Sequence, residues 1–146
     1  MTERDKPSET IHITEVEMVE TPVWYAVSER GLETILETQA KIEAAVSLKR
    51  RKCYGVFFRE TGEYRSAVSV LEDDHDFIIG LEKGLLSGGF YARVKLQNPH
   101  AIPNIGDEIR KSAQAVEEKY KHDPTRPDIE FYRSEGDLHL LFPIVK

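Results

Sequence analysis

The stretch Pro127-Asp128-Ile129-Glu130-Phe131-Tyr132, near the C-terminus, decides the predicted fold. It opens with proline, which has no backbone N–H to donate and therefore suits the first residue of a strand. Ile129 and Phe131 then alternate with Glu130 and Tyr132, so the apolar pair faces one side of the strand and the acid and phenol face the other. A glutamate on such a strand is normally exposed, and one held in a pocket indicates a function. Glu130 is therefore the first candidate for a functional residue.

The segments around this strand predict a helix before it and a hairpin after it. Between Ile102 and Tyr120 the apolar residues recur at steps of three or four, which is the period of an amphipathic helix. Residues 122–127, rich in proline and polar side chains, end this helix. After a turn at 134–137, the apolar run Leu138–Val145 can return beside the glutamate strand as its antiparallel partner. A strand at 88–96 precedes the helix.

The N-terminal part of the chain has the same order of elements. Apolar residues at helical spacing follow Gly31, and the basic run Lys49–Lys52 suits the negative end of that helix as a solvated C-terminus. Residues 77–86 carry mixed signals and predict a short strand or an irregular link. The predicted strands are 11–19, 23–27, 54–58 and 64–71, with the helix between the second and the third.

The two halves, about 11–76 and 77–146, therefore match as strand, helix, strand and strand. Tyr25-Ala26 in the first half corresponds to Tyr91-Ala92 in the second, at an offset of 66 residues. Two such units can join into one mainly antiparallel sheet with both helices on one face, which leaves the other face for a ligand cleft. The sequence predicts an α+β fold built by pseudo-symmetric duplication, in a single domain over 11–146 with a flexible tail at 1–10.

Composition sets limits on the function. The chain has 146 residues and a formal net charge of −6, which disfavours direct binding to a nucleic-acid backbone. Its single cysteine, Cys53, excludes an intramolecular disulfide and fits a reducing compartment. No apolar run is long enough for a membrane span or a signal peptide. We expect a cytoplasmic protein without membrane or nucleic-acid contacts, and its oligomeric state stays open.

The order of elements resembles that of the GyrI-like small-molecule-binding family. The resemblance extends from about residue 11 to residue 145, and its motifs are Tyr54-Gly55-Val56-Phe57-Phe58, Gly89-Phe90-Tyr91-Ala92, the glutamate strand and Phe142-Pro143-Ile144. It implies a saddle of two related units with ligands in an aromatic cleft between them. The family includes effector domains of multidrug-responsive regulators, a gyrase inhibitor, and hydrolases of cyclopropane-bearing alkylating compounds. Glu130 matches the acidic residue at the base of the family's pocket.

Three functions follow from this resemblance. The first is a stand-alone domain that binds planar hydrophobic compounds, which could be cationic or alkylating, with Glu130 at the base of the cleft. The second is a hydrolase in which Glu130 assists the attack of water and Tyr132 helps, without a metal or organic cofactor. The third is a module that binds a protein partner, such as gyrase or a regulator. Whether the chain is an enzyme stays open.

Aromatic side chains on the predicted strands are candidates for ligand contact, because flat rings stack on planar ligands and attract cations. Strand alternation places about half of them in the ordinary core instead. His139 is included because its strand is expected to pair with that of Glu130, although a packing role is open for it and for Tyr132. The predicted ligand-binding residues are Glu130, Tyr132, Trp24, Tyr54, Phe58, Phe90, Tyr91 and His139.

Other polar clusters have simpler interpretations. The segment Asp73-Asp74-His75-Asp76 carries metal-binding side chains without a recognised ligand spacing, so a solvated turn is expected and no metal site is predicted. Cys53 lies beside basic residues but lacks the partners of a catalytic thiol, and a buried residue at a strand start is expected. Gly88-Gly89 indicates a turn or bulge, since a phosphate-loop pattern is missing.

Overall fold

The computed structural model describes residues 11–134 and 136–146, which form one antiparallel sheet and two helices. Helix α1 spans Ile35–Ala45 and follows a short 3-10 turn at Gly31–Thr34. Helix α2 spans Ile105–Lys119, with Asp107 and Glu108 in its first turn, where acidic side chains complement the helix dipole. The strands are β1 (Thr14–Met18), β2 (Thr21–Ser28), β3 (Cys53–Phe58), β4 (Glu63–Ser69), β5 (Glu82–Leu86), β6 (Gly89–Gln97), β7 (Asp128–Ser134) and β8 (Asp137–Pro143).

The strand order shows the duplication directly. The sheet runs β1-β6-β8-β7-β3-β4-β2-β5, and every neighbouring pair is antiparallel. If each of the strands β1 to β4 is exchanged with its counterpart in β5 to β8, the same order results, read from the other edge of the sheet. A pseudo-twofold axis between β3 and β7 requires this symmetry. The predicted α+β fold with two strand-helix-strand-strand units is therefore confirmed. Each unit also places its first strand, β1 or β5, beside the other unit.

Both helices pack on the same face of the sheet. Ile42 of α1 lies in a buried cluster with Trp24 and Val68, which adjoin each other in the register of β2 and β4. On the other half, Val116 of α2 lies in a cluster with apolar side chains of β6 and β8, such as Leu140. The amphipathic periods found in the sequence thus correspond to helices that bury one stripe against the sheet.

The helix-free face is buried as well, because the sheet curls on itself. One core cluster joins Val23 and Leu86, near one edge of the sheet, to Tyr91 and Leu141 on the other half. Val16 of edge strand β1 packs against the same cluster. Strands with both faces buried carry apolar residues at odd and even positions alike, so alternation alone does not identify the face that meets the helices.

The connection between β4 and β5 is held by a buried ion pair. Arg51 donates two hydrogen bonds to the carboxylate of Asp74, at 2.8 and 2.6 Å, and the two side chains are 6% and 9% exposed. Asp74 also accepts hydrogen bonds from the Trp24 indole N–H at 2.9 Å and the Leu71 backbone N–H at 2.8 Å. The expectations of a solvated helix end around Arg51 and a solvated turn around Asp74 are therefore wrong for these two residues. Both side chains lie inside the fold.

Across the residues that the structure describes, neither helix has the length and apolar character needed to cross a membrane.

Candidate functional site

Glu130 lies at the middle of the sheet, on β7. In the strand register it adjoins Gly55 of β3 on one side and Leu140 of β8 on the other. Antiparallel neighbours in register point to the same face, and Leu140 belongs to the cluster under α2. The Glu130 side chain therefore points to the face that carries the helices.

A cavity of about 790 Å³ lies over Glu130, between the two helices. Its walls carry apolar side chains of both helices, with Ile35 and Ile42 from α1 and Ile105 and Ile109 from α2. This volume lies within the range of about 300–1,000 Å³ that is usual for small-molecule sites. The cleft was predicted on the face opposite the helices, and the structure places the Glu130 cavity between them instead.

Two tyrosine hydroxyls hold the Glu130 carboxylate. Tyr64 of β4 donates to Oε1 at 2.9 Å, and Tyr132 donates to the same oxygen at 2.7 Å. Burial raises the pKa of both phenols far above the ordinary value, and the nearby Glu130 charge raises it further. Both phenols therefore stay protonated at neutral pH and act as donors. This arrangement fixes one carboxylate oxygen and directs the chemistry of the site to the other.

Gly55 creates the space in which this cluster forms. A Cβ atom at position 55 would lie 2.0 Å from the Tyr64 hydroxyl and 2.6 Å from Glu130 Oε1. Both distances lie below the 3.0 Å within which real Cβ atoms essentially never have a neighbour, so no other residue fits here without displacing the cluster. A glycine inside a strand often marks such a close approach.

The cavity has an acidic and mainly aliphatic lining. Two carboxylates border it, Glu130 on the floor and Glu43 at the α1 wall, and the lining residues that the structure describes include one histidine, His100, but neither lysine nor arginine. Burial, followed by the charge of Glu43, raises the pKa of the Cys53 thiol, which also borders the cavity and stays protonated. The site therefore favours positively charged or neutral ligands.

Of the eight predicted ligand-binding residues, the structure brings Glu130, Tyr132 and Tyr54 to the cavity. The Tyr54 ring itself stacks on Phe131, at 5.3 Å between ring centroids, in the core of the helix-free face. Trp24 and Phe90 lie on the helix side but outside the cavity. Trp24 is buried under α1, and Phe90 packs against the cluster under α2 with Lys146 over its ring at 5.2 Å.

The other three predicted contacts lie on the helix-free face. Phe58 and Tyr91 belong to the cluster on that face, where the Tyr91 hydroxyl donates to the Ser87 carbonyl at 2.7 Å. His139 adjoins Phe131 in the register and meets its ring edge-on at 5.7 Å, so it points away from Glu130. The strand register explains this placement. Each of the three rings lies an odd number of positions along its strand from the row that contains Glu130, so it points to the opposite face of the sheet.

Three residues close to Glu130 were missed from the sequence: Gly55, Tyr64 and Ser66, which lies beside Gly55 on β4. The wall residues from the two helices were not predicted as ligand contacts either. A glycine inside an otherwise apolar and aromatic strand was the available signal for Gly55. The turn at 60–63 predicts that β3 pairs with β4, but Tyr64 and Ser66 reach Glu130 only because β3 also pairs with β7, which no local pattern specifies. Alternation on β4 alone gives only that Tyr64 and Ser66 share a face.

Within the described ranges, 11–134 and 136–146, no three histidine, cysteine or acidic side chains come together as a metal site.

No family model matches the chain, and no curated protein matches it in sequence.

Solved structures do share its fold. VCH_CASS2, an integron cassette protein from the mobile metagenome of Vibrio cholerae, is 16% identical, with a TM-score of 0.67 over 91% of this chain and 95% of that one. SAV2435, solved with bound tetraphenylphosphonium, is 9% identical, with a TM-score of 0.66 over 92% and 94% of the two chains. A hydrolase from Listeria innocua is 10% identical, with a TM-score of 0.56 over 93% of each chain. At these identities the likeness establishes a shared fold, a duplicated α+β sheet with two helices.

Proposed function

We propose that the chain binds bulky hydrophobic cations in the cavity between α1 and α2, with Glu130 as the counter-ion. The observation that carries this proposal is a carboxylate on the floor of a cavity of about 790 Å³ whose helix walls are largely apolar. An ionised group removed from water is costly unless an opposite charge or hydrogen bonds compensate for it. The two phenols compensate for one oxygen, and a bound cation would compensate for the remaining charge.

The chemistry of the walls defines the ligand further. Aliphatic side chains such as Ile35, Ile42, Ile105 and Ile109 offer apolar area rather than stacking planes. The predicted aromatic cleft is therefore replaced, in this proposal, by an aliphatic one in which Tyr132 is the ring nearest to the charge. A globular cation such as tetraphenylphosphonium suits it better than a flat dye. The fold shared with SAV2435, which was solved with that cation, supports the proposal by analogy.

Exchange of Glu130 for glutamine tests the electrostatic part of the proposal. Glu130→Gln keeps the shape of the side chain and removes its charge, so tetraphenylphosphonium should bind about tenfold more weakly or worse. The neutral triphenylphosphine oxide should bind both forms with similar affinity. Isothermal titration calorimetry measures the affinity of each of the two ligands for the wild type and for Glu130→Gln.

The matched control is Glu118→Gln, which removes an exposed glutamate of α2 that does not border the cavity. It gives the effect of one unit of net charge, screened by solvent, without touching the site. Equal affinities of the wild type and Glu130→Gln for the cation would show that the carboxylate is not its counter-ion.

A hydrolytic function is the second candidate, favoured by the carboxylate held between two protonated phenols. With Oε1 fixed by Tyr64 and Tyr132, the other oxygen of Glu130 could accept a proton from water that attacks an electrophilic ligand. A positioned base of this kind contributes roughly 10²–10⁴-fold to a rate. Incubation with a cyclopropane-bearing alkylating compound, followed by mass spectrometry of the products, tests it. Unchanged turnover by Glu130→Gln would remove Glu130 from the reaction.

A further inference from the structure

One buried serine hydroxyl stands apart from the other buried hydroxyls of serine and threonine in the described part of the chain. In residues 11–134 and 136–146, the buried serine and threonine residues are Ser28, Thr34, Thr38, Ser66 and Ser112. Four of them have hydrogen-bond partners: Ser28 and Thr34 pair with each other at 2.5 Å, Thr38 donates to the Thr34 carbonyl at 2.8 Å, and Ser112 donates to the Glu108 carbonyl at 2.9 Å. The Ser66 hydroxyl has no partner among the described residues. A buried polar group in this state calls for a functional explanation.

Ser66 borders the same cavity as Glu130. It is 4% exposed, and the register places it beside Gly55, which in turn adjoins Glu130. The three residues thus form one row across β4, β3 and β7, on the helix side of the sheet. The space over Gly55 is taken by the Tyr64 hydroxyl and Glu130 Oε1, and neither of them hydrogen-bonds the Ser66 hydroxyl.

The strand order places Ser66 two strands away from Glu130, with Gly55 of β3 between them. Oxygen Oε1 of Glu130 leans over Gly55, at 2.6 Å from the position that a Cβ atom would take there, and the Tyr64 hydroxyl occupies the same space. Ser66 and Glu130 therefore border the cavity at two separate points.

We propose that the Ser66 hydroxyl is a second polar contact for the ligand, which therefore carries a hydrogen-bonding group in addition to its cationic centre. This inference rests on the proposed binding of cations at Glu130 and defines the class more narrowly, as hydrophobic cations with a hydroxyl, amino or carbonyl substituent. A hydroxyl group both donates and accepts, so Ser66 serves any of these. The apolar walls bind the body of the ligand, Glu130 its charge and Ser66 its substituent.

The test compares tetraphenylphosphonium with its three isomers that carry one ring hydroxyl. At least one isomer should bind the wild type about tenfold more tightly than the parent cation, as one well-placed hydrogen bond in a buried site allows. Ser66→Ala should abolish this preference, whereas Ser112→Ala, at a residue that does not border this cavity, should retain it. If no isomer is preferred, or if the preference survives in Ser66→Ala, the role of Ser66 is overturned while that of Glu130 stands. Failure of every phosphonium to bind the wild type would overturn both proposals.

Thermal unfolding provides a second measurement that does not depend on a ligand. Removal of an unpartnered buried hydroxyl should leave the melting temperature of Ser66→Ala unchanged or raise it. Ser112→Ala is the matched control, because it deletes a buried hydroxyl that does donate a hydrogen bond and should lower the melting temperature without changing cation binding. A melting temperature for Ser66→Ala that falls as far as that of Ser112→Ala would mean that the Ser66 hydroxyl has a structural role, against the proposal.

Discussion

Gly55→Ala is expected to weaken the binding of tetraphenylphosphonium by at least tenfold and to lower the free energy of unfolding by about 1–3 kcal/mol. The added methyl group would lie 2.0 Å from the Tyr64 hydroxyl and 2.8 Å from the ring carbon that carries it. Tyr64 is 1% exposed and cannot swing out into solvent. The phenol and the Glu130 carboxylate must therefore separate, which breaks the hydrogen bond that fixes the proposed counter-ion. Calorimetric titration and urea denaturation measure the two effects.

The control and a compensating change separate crowding from the general cost of a strand substitution. Gly106→Ala, on α2, places its methyl group where no heavy atom lies within 4 Å, so it should stabilise the protein slightly through helix propensity. In the background of Gly55→Ala, Tyr64→Phe removes the oxygen that clashes most severely. The loss in the free energy of unfolding of the double variant should therefore be smaller than the sum of the losses in the two single variants. Simple additivity of the two changes would contradict the crowding argument.

Local patterns were sufficient to predict the order of the elements. The steps of three and four residues from Ile102 to Tyr120 predicted α2, which the structure places at Ile105–Lys119. Pro127 and the alternation after it predicted β7, and the apolar run that follows predicted its hairpin partner β8. The correspondence of Tyr25 with Tyr91 lies on β2 and β6, which are equivalent under the pseudo-twofold exchange. Each of these signals depends only on residues close together in sequence.

The face of the sheet that carries the helices could not be predicted in the same way. Ile129 and Phe131 are apolar and alternate with Glu130. This pattern favoured the prediction that the two residues lie in the core under the helices. In the structure both residues pack into the core of the curled, helix-free face. Curling is a property of the whole sheet, because it brings the edges near β1 and β5 toward each other, and no single strand encodes it.

The residues of the site depend on pairings between distant strands. Glu130 and Tyr64 are 66 residues apart and meet because β7 and β4 both adjoin β3. His139 was expected near Glu130 because its strand is the hairpin partner, yet the register sets it opposite Phe131. A shift of one residue in that register would have reversed the outcome. Such registers are fixed by packing across the sheet, which a sequence pattern does not display.

Asp74→Asn is expected to lower the free energy of unfolding by about 3 kcal/mol or more. The variant leaves the Arg51 guanidinium, 6% exposed, without its negative partner. It also weakens the acceptor for the Trp24 indole, which anchors the connection between β4 and β5 to the core under α1. Asp73→Asn is the matched control, because Asp73 and Arg50 form an exposed pair at 3.5 Å. An exposed pair contributes at most about 1 kcal/mol.

The pH dependence of unfolding identifies the source of the Asp74 effect. The hydrogen bonds from Arg51 hold the pKa of Asp74 well below its ordinary value of 3.8. A carboxyl group whose pKa is lowered by folding stabilises the protein fully above its unfolded value and loses this contribution as the pH falls through the folded value. Wild-type stability should therefore fall below about pH 4 more steeply than that of Asp74→Asn, so the two curves converge toward acid. If the difference between them stays constant from pH 7 to pH 2, the loss in Asp74→Asn comes from packing and not from the charge.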